Sequence, residues 1–252
     1  MKKKRIDWTI WVGVAVGVSA IAAGAWFEGL SLGVLWHPTA ALVVGGGTLG
    51  AVIVRRGVRG VVSALRAVWG LRLKPGDDES HKIEIAKLAW LSRSANKTGV
   101  KAFETYAESS QDALVIQGMI LLADRADKNR IQEVMKRRLD LEYEDGMHDS
   151  ATLDAAGGFA PTFGILGAVL GLISVLRVLD RPDALGVGIA TAFVATIYGL
   201  SLANLLFFPL AARLRECHEF QMKRREELVS VILSLVSNET PQAIMNQFNL
   251  PK

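Results

Sequence analysis

The stretch GGFAPTFGILGAVLG, residues 157–171, places Gly157, Gly158, Gly164, Gly167, Gly171 and Pro161 in an otherwise apolar run without a charge. Gly and Pro are the weakest helix formers in water. A soluble helix avoids them, whereas a helix in lipid tolerates both where neighbouring helices pack closely. The run is therefore read as part of a membrane span, and the rest of the chain follows from that reading.

Four windows carry no Asp, Glu, Lys or Arg: 8–27, 29–54, 155–176 and 184–212. Each reaches the roughly 20 residues needed to cross a bilayer. They predict transmembrane helices at about 8–26, 33–54, 156–178 and 184–211. At about 1.5 Å per residue, the last window extends roughly 43 Å, which implies tilt or an extension beyond the lipid. SAIAAGA (19–25) has the small-residue look of a signal-peptide cleavage site. The apolar run before it is long for such a peptide, and another span follows within a few residues, so it is read as the first arm of a helical hairpin.

Basic residues set the topology. Met1–Arg5 reads MKKKR; Arg55, Arg56, Arg59, Arg66, Arg72 and Lys74 follow the second span; Arg213, Arg215, Lys223, Arg224 and Arg225 follow the fourth. Of the 29 Lys and Arg residues, only Arg177 and Arg181 fall on the predicted outer side. The positive-inside rule then places both termini in the cytoplasm. The pI of about 9.3 reports this topology. It does not report nucleic-acid binding, because the basic residues flank spans and lack interleaved stacking aromatics.

The expected fold is an all-α integral membrane protein with four transmembrane helices and a large helical cytoplasmic domain between spans 2 and 3. Its segments are 1–54 (spans 1 and 2), 55–154 (cytoplasmic loop domain), 155–212 (spans 3 and 4) and 213–252 (cytoplasmic C-terminal helices). Val58, Val61, Val62, Leu65, Val68 and Trp69 recur at helical spacing around Arg59 and Arg66, the pattern of a helix lying on the inner membrane surface. KPGDDES (74–80) reads as a turn opening the next helix, 127–148 as an extension of the third span, and Thr240-Pro241 as an N-cap with a first-turn proline.

No enzyme signature is present. GGGTLG (45–50) lies inside a span and lacks the lysine of a phosphate loop. His37, His81, His148 and His218 are too scattered to suggest a metal site, and the single Cys217 has no disulfide partner in the chain. No span holds an acid, although an ion path normally needs an intramembrane ionisable group. His37, beside Pro38 at the outer end of span 2, reads as an interfacial residue. Gly157, Pro161, Gly164, Ala168 and Gly171 form one small-residue face; Gly188, Ala192, Ala195, Thr196, Gly199 and Ala203 form another. Two readings remain open. Either the faces pack on each other, or they line a groove for a second chain that supplies the missing acid.

GGGTLGAVIV (45–54), FAPTFGILGAVLGLISVL (159–176), LGVGIATAFVATIYGLSLANLLFFPLAARL (185–214) and VILSLVSNETPQAIMNQF (231–248) resemble segments of the MotA/TolQ/ExbB proton-channel family. Four spans point to its flagellar stator branch, since the TolQ and ExbB branch usually has three. The resemblance implies a homo-oligomeric ring, a pentamer in the family, around a MotB-like single-span partner carrying the proton-binding Asp. It also implies proton flow coupled to torque on the flagellar rotor switch protein. The ion-path or partner-facing residues would be Pro161, Gly164, Ala168, Ala195, Thr196, Tyr198 and Pro209. Sodium-driven relatives tend to carry Thr at the positions of Ala168 and Ala195, so alanines there favour protons. No cofactor is implied. The family's rotor-contact Glu matches Glu104, but Asn96 stands at the usual Arg position, leaving Arg93 or Lys97 to supply the positive charge. The competing readings are a TolQ/ExbB-like energiser of another envelope machine and a membrane scaffold without ion flux.

Overall fold

The computed structural model describes residues 9–29, 32–70, 78–178, 180 and 182–250. Met1–Arg5, Arg72, Lys74, the Pro75-Gly76 break and Arg181 lie outside the described residues. Among the described residues every regular element is helical: α1 (Thr9–Phe27), α2 (Pro38–Ala41), α3 (Gly47–Gly70), α4 (Asp78–Thr98), α5 (Lys101–Ser109), α6 (Ala113–Ala123), α7 (Lys128–Leu176), α8 (Pro182–Ser201), α9 (Phe208–Val236) and α10 (Pro241–Gln247). Short π-helical turns, Leu42–Gly46 and Leu202–Phe207, join α2 to α3 and α8 to α9. Four of the resulting segments are long and apolar enough to cross a bilayer: Thr9–Phe27, Gly33–Gly70, Lys128–Leu176 and Gly188–Val236. Their most apolar windows have mean hydropathies of 1.9, 1.5, 2.1 and 1.7.

The chain divides into two compact units, one of residues 1–74 and 147–216, the other of 75–146 and 217–252. In the first unit, α1 is apolar around its whole circumference and buries no residue against the chain. Such a surface belongs in lipid or against another subunit. Its contact with the Leu202–Phe207 turn is made at Gly17, where a Cβ would lie 2.7 Å from a Leu205 methyl. Pro38 stands at the first position of α2, where its missing N–H leaves no bond unmade. Within α3, Gly57 adopts φ 69° and ψ 167°, a backbone conformation reserved for glycine. The helix axis breaks there, one residue past Arg55-Arg56. Beyond the break, Val58, Val62, Leu65 and Trp69 are exposed along one stripe while Ala64 is buried.

The third and fourth spans are long continuous helices. α7 runs unbroken over 49 residues with Pro161 inside it. Its highly charged N-terminal part shares one helix with the charge-free stretch from residue 155, as the 127–148 pattern predicts. The Leu202–Phe207 turn ends two residues before Pro209. Pro209 cannot donate to the carbonyl one turn back and its ring crowds that turn, so the widened π turn accommodates it without ending the helix.

The second unit has a conventional hydrophobic core. Ile85, Leu88, Leu114, Val115, Met119, Ile131, Met135, Val231, Ile232 and Ile244 are almost fully buried in it. α6 is apolar except for Gln117, yet its 11 residues extend only about 16 Å, too short for a span. It is the central core helix. Asp112 caps it by accepting from the Leu114 N–H at 2.9 Å. Gly118 admits Ile232 so closely that a Cβ there would lie 2.6 Å from the Ile232 Cδ1. Arg225 reaches both Asp112 carboxylate oxygens at 3.0 and 3.2 Å and Glu142 at 2.8 Å. Arg138 holds the other Glu142 oxygen at 2.9 Å. Thr240 caps α10, accepting from the Ala243 N–H at 3.3 Å, with Pro241 in the first turn. Replacing Ile232 with Ala should destabilise this unit by about 2–5 kcal/mol, measured as earlier thermal unfolding of the purified protein.

Candidate functional site

Within the first unit, the small-residue faces of α7 and α8 meet. A Cβ added to Gly199 would lie 2.6 Å from the Ala160 carbonyl oxygen and 3.1 Å from the Pro161 and Gly164 Cα atoms. One on Gly171 would lie 2.7 Å from the Ala192 nitrogen and 2.8 Å from the Gly188 oxygen. A Cβ on Gly188 would lie 3.1 Å from the Gly171 oxygen, and one on Gly164 3.0 Å from the Ala195 oxygen. These neighbours are backbone atoms, which cannot swing aside as a side chain can. Of the two readings of the small-residue faces, packing between the two helices describes these four glycines. At one end of the pair, Arg215 on α9 donates to Asp154 on α7 at 2.5 Å. This contact is two-fifths exposed and contributes modestly to stability.

The expected ion-path residues distribute around this seam. Pro161 is half-buried, with its Cα against Gly199. It offers no N–H to the carbonyl of Gly157, one turn earlier. Ala168 is half-buried. Ala195 is completely buried in a cluster with Ala40, Val44 and Val194, so it faces the second span. Thr196 is half-buried and donates its hydroxyl to the Ala192 carbonyl at 3.2 Å, which leaves its oxygen lone pairs as acceptors. Pro209 is exposed. Tyr198 donates to the Leu35 carbonyl and accepts from the His37 N–H at 3.2 Å. The His37 ring in turn reaches the Thr191 hydroxyl, with Nε2 2.9 Å from Oγ1.

Sequence reasoning missed this last cluster. Thr191 and Tyr198 lie more than 150 residues from His37, so no local spacing announces it. The one available signal was compositional: His37 and Tyr198 are the only His, Tyr or Cys side chains in the four charge-free windows.

In the second unit, Arg93, Lys97 and Glu104 are all exposed and stand on the two helices flanking the Gly99 turn, where φ is 67°. The Arg93 guanidinium lies over the Trp90 ring at 5.8 Å. Tyr106, on the same helix as Glu104, donates to Glu84 at 3.0 Å. Burial, followed by that hydrogen bond and the Glu84 charge, raises its hydroxyl pKa well above the usual range, so it remains a donor at physiological pH.

This geometry defines a polytopic helical membrane protein whose third and fourth spans touch backbone to backbone and whose spans supply no carboxylate of their own. Residues 106–227 match the model of the MotA/TolQ/ExbB proton channel family. It is 28% identical to Motility protein A of Bacillus subtilis (strain 168), over 95% of this chain and 88% of the relative. It is 27% identical to chemotaxis protein PomA of Vibrio alginolyticus, over 91% and 89% respectively. Among solved structures it is similar to a chain of the flagellar MotAB stator complex from Bacillus subtilis. The TM-score is 0.83 and the identity 28%, covering 97% of this chain and 96% of that one. A chain of C. jejuni MotAB shares the fold with a TM-score of 0.84 at 24% identity, over 98% and 96%.

Substituting Val at Gly199 should force α7 and α8 apart and deplete folded protein, with an overpacking cost of about 1–3 kcal/mol or more. Substituting Ala at Gly186, where nothing lies within 4 Å of a Cβ, should leave membrane expression and thermal stability unchanged. Quantitative immunoblots and melting of detergent extracts compare the two.

Proposed function

We propose that this chain is the ion-conducting stator subunit of a bacterial flagellar motor, coupling proton flow to torque on the rotor. The observation that carries the reading is the correspondence of nearly the whole chain to a flagellar stator complex subunit at both sequence and fold level. It resides in the inner membrane with both termini cytoplasmic, as the distribution of basic residues supports. The second unit is then cytoplasmic.

The absence of Asp and Glu from the four charge-free windows supports the remainder of the mechanism. The proton carrier is an Asp on a MotB-like single-span partner, enclosed by a homo-oligomeric ring of this chain, a pentamer by resemblance. Protonation neutralises that Asp and removes the cost of moving a charge past an apolar wall; deprotonation restores it. Pro161, Ala168, Thr196 and Pro209, half-buried or exposed in the subunit, belong to the wall the Asp passes, while Gly164, Ala195 and Tyr198 pack behind it and hold its helices together. The exposed apolar surfaces of α1 face lipid or neighbouring subunits. Ala168 offers no hydroxyl oxygen to a desolvated sodium ion, which supports protons as the transported ion; Ala195 is buried against the second span.

Replacing Pro161 with Leu, or Thr196 with Val, should slow swimming and proton flux severalfold while the assembled complex persists. Motility assays beside blue-native gels test this. Wild-type swimming in sodium-free medium, abolished by a protonophore, is the matching result for the ion. Loss of swimming on sodium removal instead would reverse the ion assignment. Arg93, Lys97 and Glu104 present the charges proposed to push the rotor. Reversing Glu104 to Lys should reduce torque with proton conductance retained, and a charge reversal on the rotor protein should partly restore it.

A further inference from the structure

Arg55 and Arg56 end the charge-free run of span 2, and Gly57 then breaks the axis of α3. Residues 58–70 are therefore a second arm of α3 that starts at the membrane boundary. The sequence predicts one apolar stripe along this arm, and the structure divides it. Val61, Ala64 and Val68 turn inward and are half-buried or buried. Val58, Val62, Leu65 and Trp69 turn outward, with exposures of 62%, 37%, 63% and 67%. Their steps of four, three and four residues keep them within about 60° of one another around the helix.

A cationic ridge runs beside that stripe. Arg59, Ser63 and Arg66 follow one another at four- and three-residue steps, roughly 100° around the helix from the stripe, and all three are exposed. No carboxylate stands anywhere between residues 29 and 76. Among the described residues, none forms an ion pair or a side-chain hydrogen bond with Arg55, Arg59 or Arg66. The water-facing helices of the second unit differ, since Arg130, Arg138 and Arg225 there meet Glu133, Glu142 and Asp112. An apolar stripe flanked by uncompensated arginines is the pattern of a helix lying in the headgroup layer. The arginine stems lie along the apolar surface while their heads reach the phosphates, and Trp69 suits the same level.

We propose that residues 58–70 form a binding site for anionic phospholipid of the inner leaflet. Val58, Val62, Leu65 and Trp69 lie among the upper acyl chains, and Arg59, Ser63 and Arg66 engage the headgroup phosphates. Each guanidinium donates paired hydrogen bonds to phosphate oxygens, and the Ser63 hydroxyl between them donates another. Arg55 adds a cation at the boundary. A free phosphate would satisfy the arginines but leave the stripe in water, so a lipid is the occupant that covers both. A zwitterionic lipid covers the stripe equally well but brings its own ammonium towards the arginines, so the ridge selects headgroups of net negative charge. The site fixes the level at which span 2 leaves the membrane. It needs only the four-span topology and does not depend on the stator reading.

The test reconstitutes the protein, purified as its native complex, into vesicles of mixed phosphatidylglycerol and phosphatidylcholine. The acyl chains of one lipid at a time are brominated, and quenching of tryptophan fluorescence is read. Subtracting the signal of Trp69→Phe isolates Trp69. Relative to the vesicle composition, phosphatidylglycerol should be enriched at Trp69 by about fivefold or more. Arg59→Gln combined with Arg66→Gln should bring that ratio near one with the complex still assembled. Arg59→Lys with Arg66→Lys should keep most of the enrichment, because the charge remains. Wild-type quenching that follows the bulk composition, or undiminished enrichment in the glutamine variant, would overturn headgroup selection. Trp69 unquenched by either lipid would overturn lipid docking altogether and assign the face to protein, a neighbouring copy or a partner. The wild-type ratio is decisive alone, so the outcome stands even where a variant assembles poorly.

Discussion

Lipid offers helices no hydrophobic reward for associating, because the surrounding chains are as apolar as the side chains. The third and fourth spans must therefore hold together by contact and by short-range polar interactions. In this protein the contact is between backbones. Gly171 on one helix and Gly199 on the other leave no room for even a Cβ beside the facing backbone, and Gly164 and Gly188 leave little, so main-chain atoms of the two helices approach directly. The position of Thr196, the burial of Ala195 and the reach of Tyr198 to the second span all follow from that seam.

The interruptions in the spans serve a related purpose. Pro161 withholds a donor from the turn before it while sitting against Gly199, and the π turns at Leu42–Gly46 and Leu202–Phe207 change the helical register without ending the helix. A regular helix repeats the same face throughout its length. These helices redirect their faces within the membrane, where an ending would expose unsatisfied backbone groups to lipid. Under the proposed function, in which the wall moves past a carboxylate that changes charge, such local departures allow bending without loss of the span.

The second unit is governed by water. Its core is a cluster of Ile, Leu, Val and Met centred on α6, and its charged residues are arranged at the edges. Arg225 links the cap of α6 to Glu142 on α7, tying together segments far apart in sequence. The Gly99 turn sets α4 and α5 at the surface with Arg93, Lys97 and Glu104 exposed. The same polypeptide thus uses backbone proximity in lipid and side-chain burial in water.

Much was legible in the sequence because membrane helices are specified by long-wavelength properties. Charge-free windows, flanking arginines and the Thr240-Pro241 cap are local, and lipid or water reads them before any helix meets another. Tertiary structure decided what pairwise geometry alone can decide. The small-residue faces were visible, but whether they packed on each other or stood open required the second helix in place. The C-terminal helices joined the core of α4 and α6 because Val231, Ile232 and Ile244 needed burial that no neighbouring segment offered. His37 read as an interfacial residue, since nothing in its local sequence reveals Thr191 and Tyr198. A hydrogen-bonded cluster between distant spans leaves no periodic trace; it exists only once the backbones are close enough for the side chains to meet.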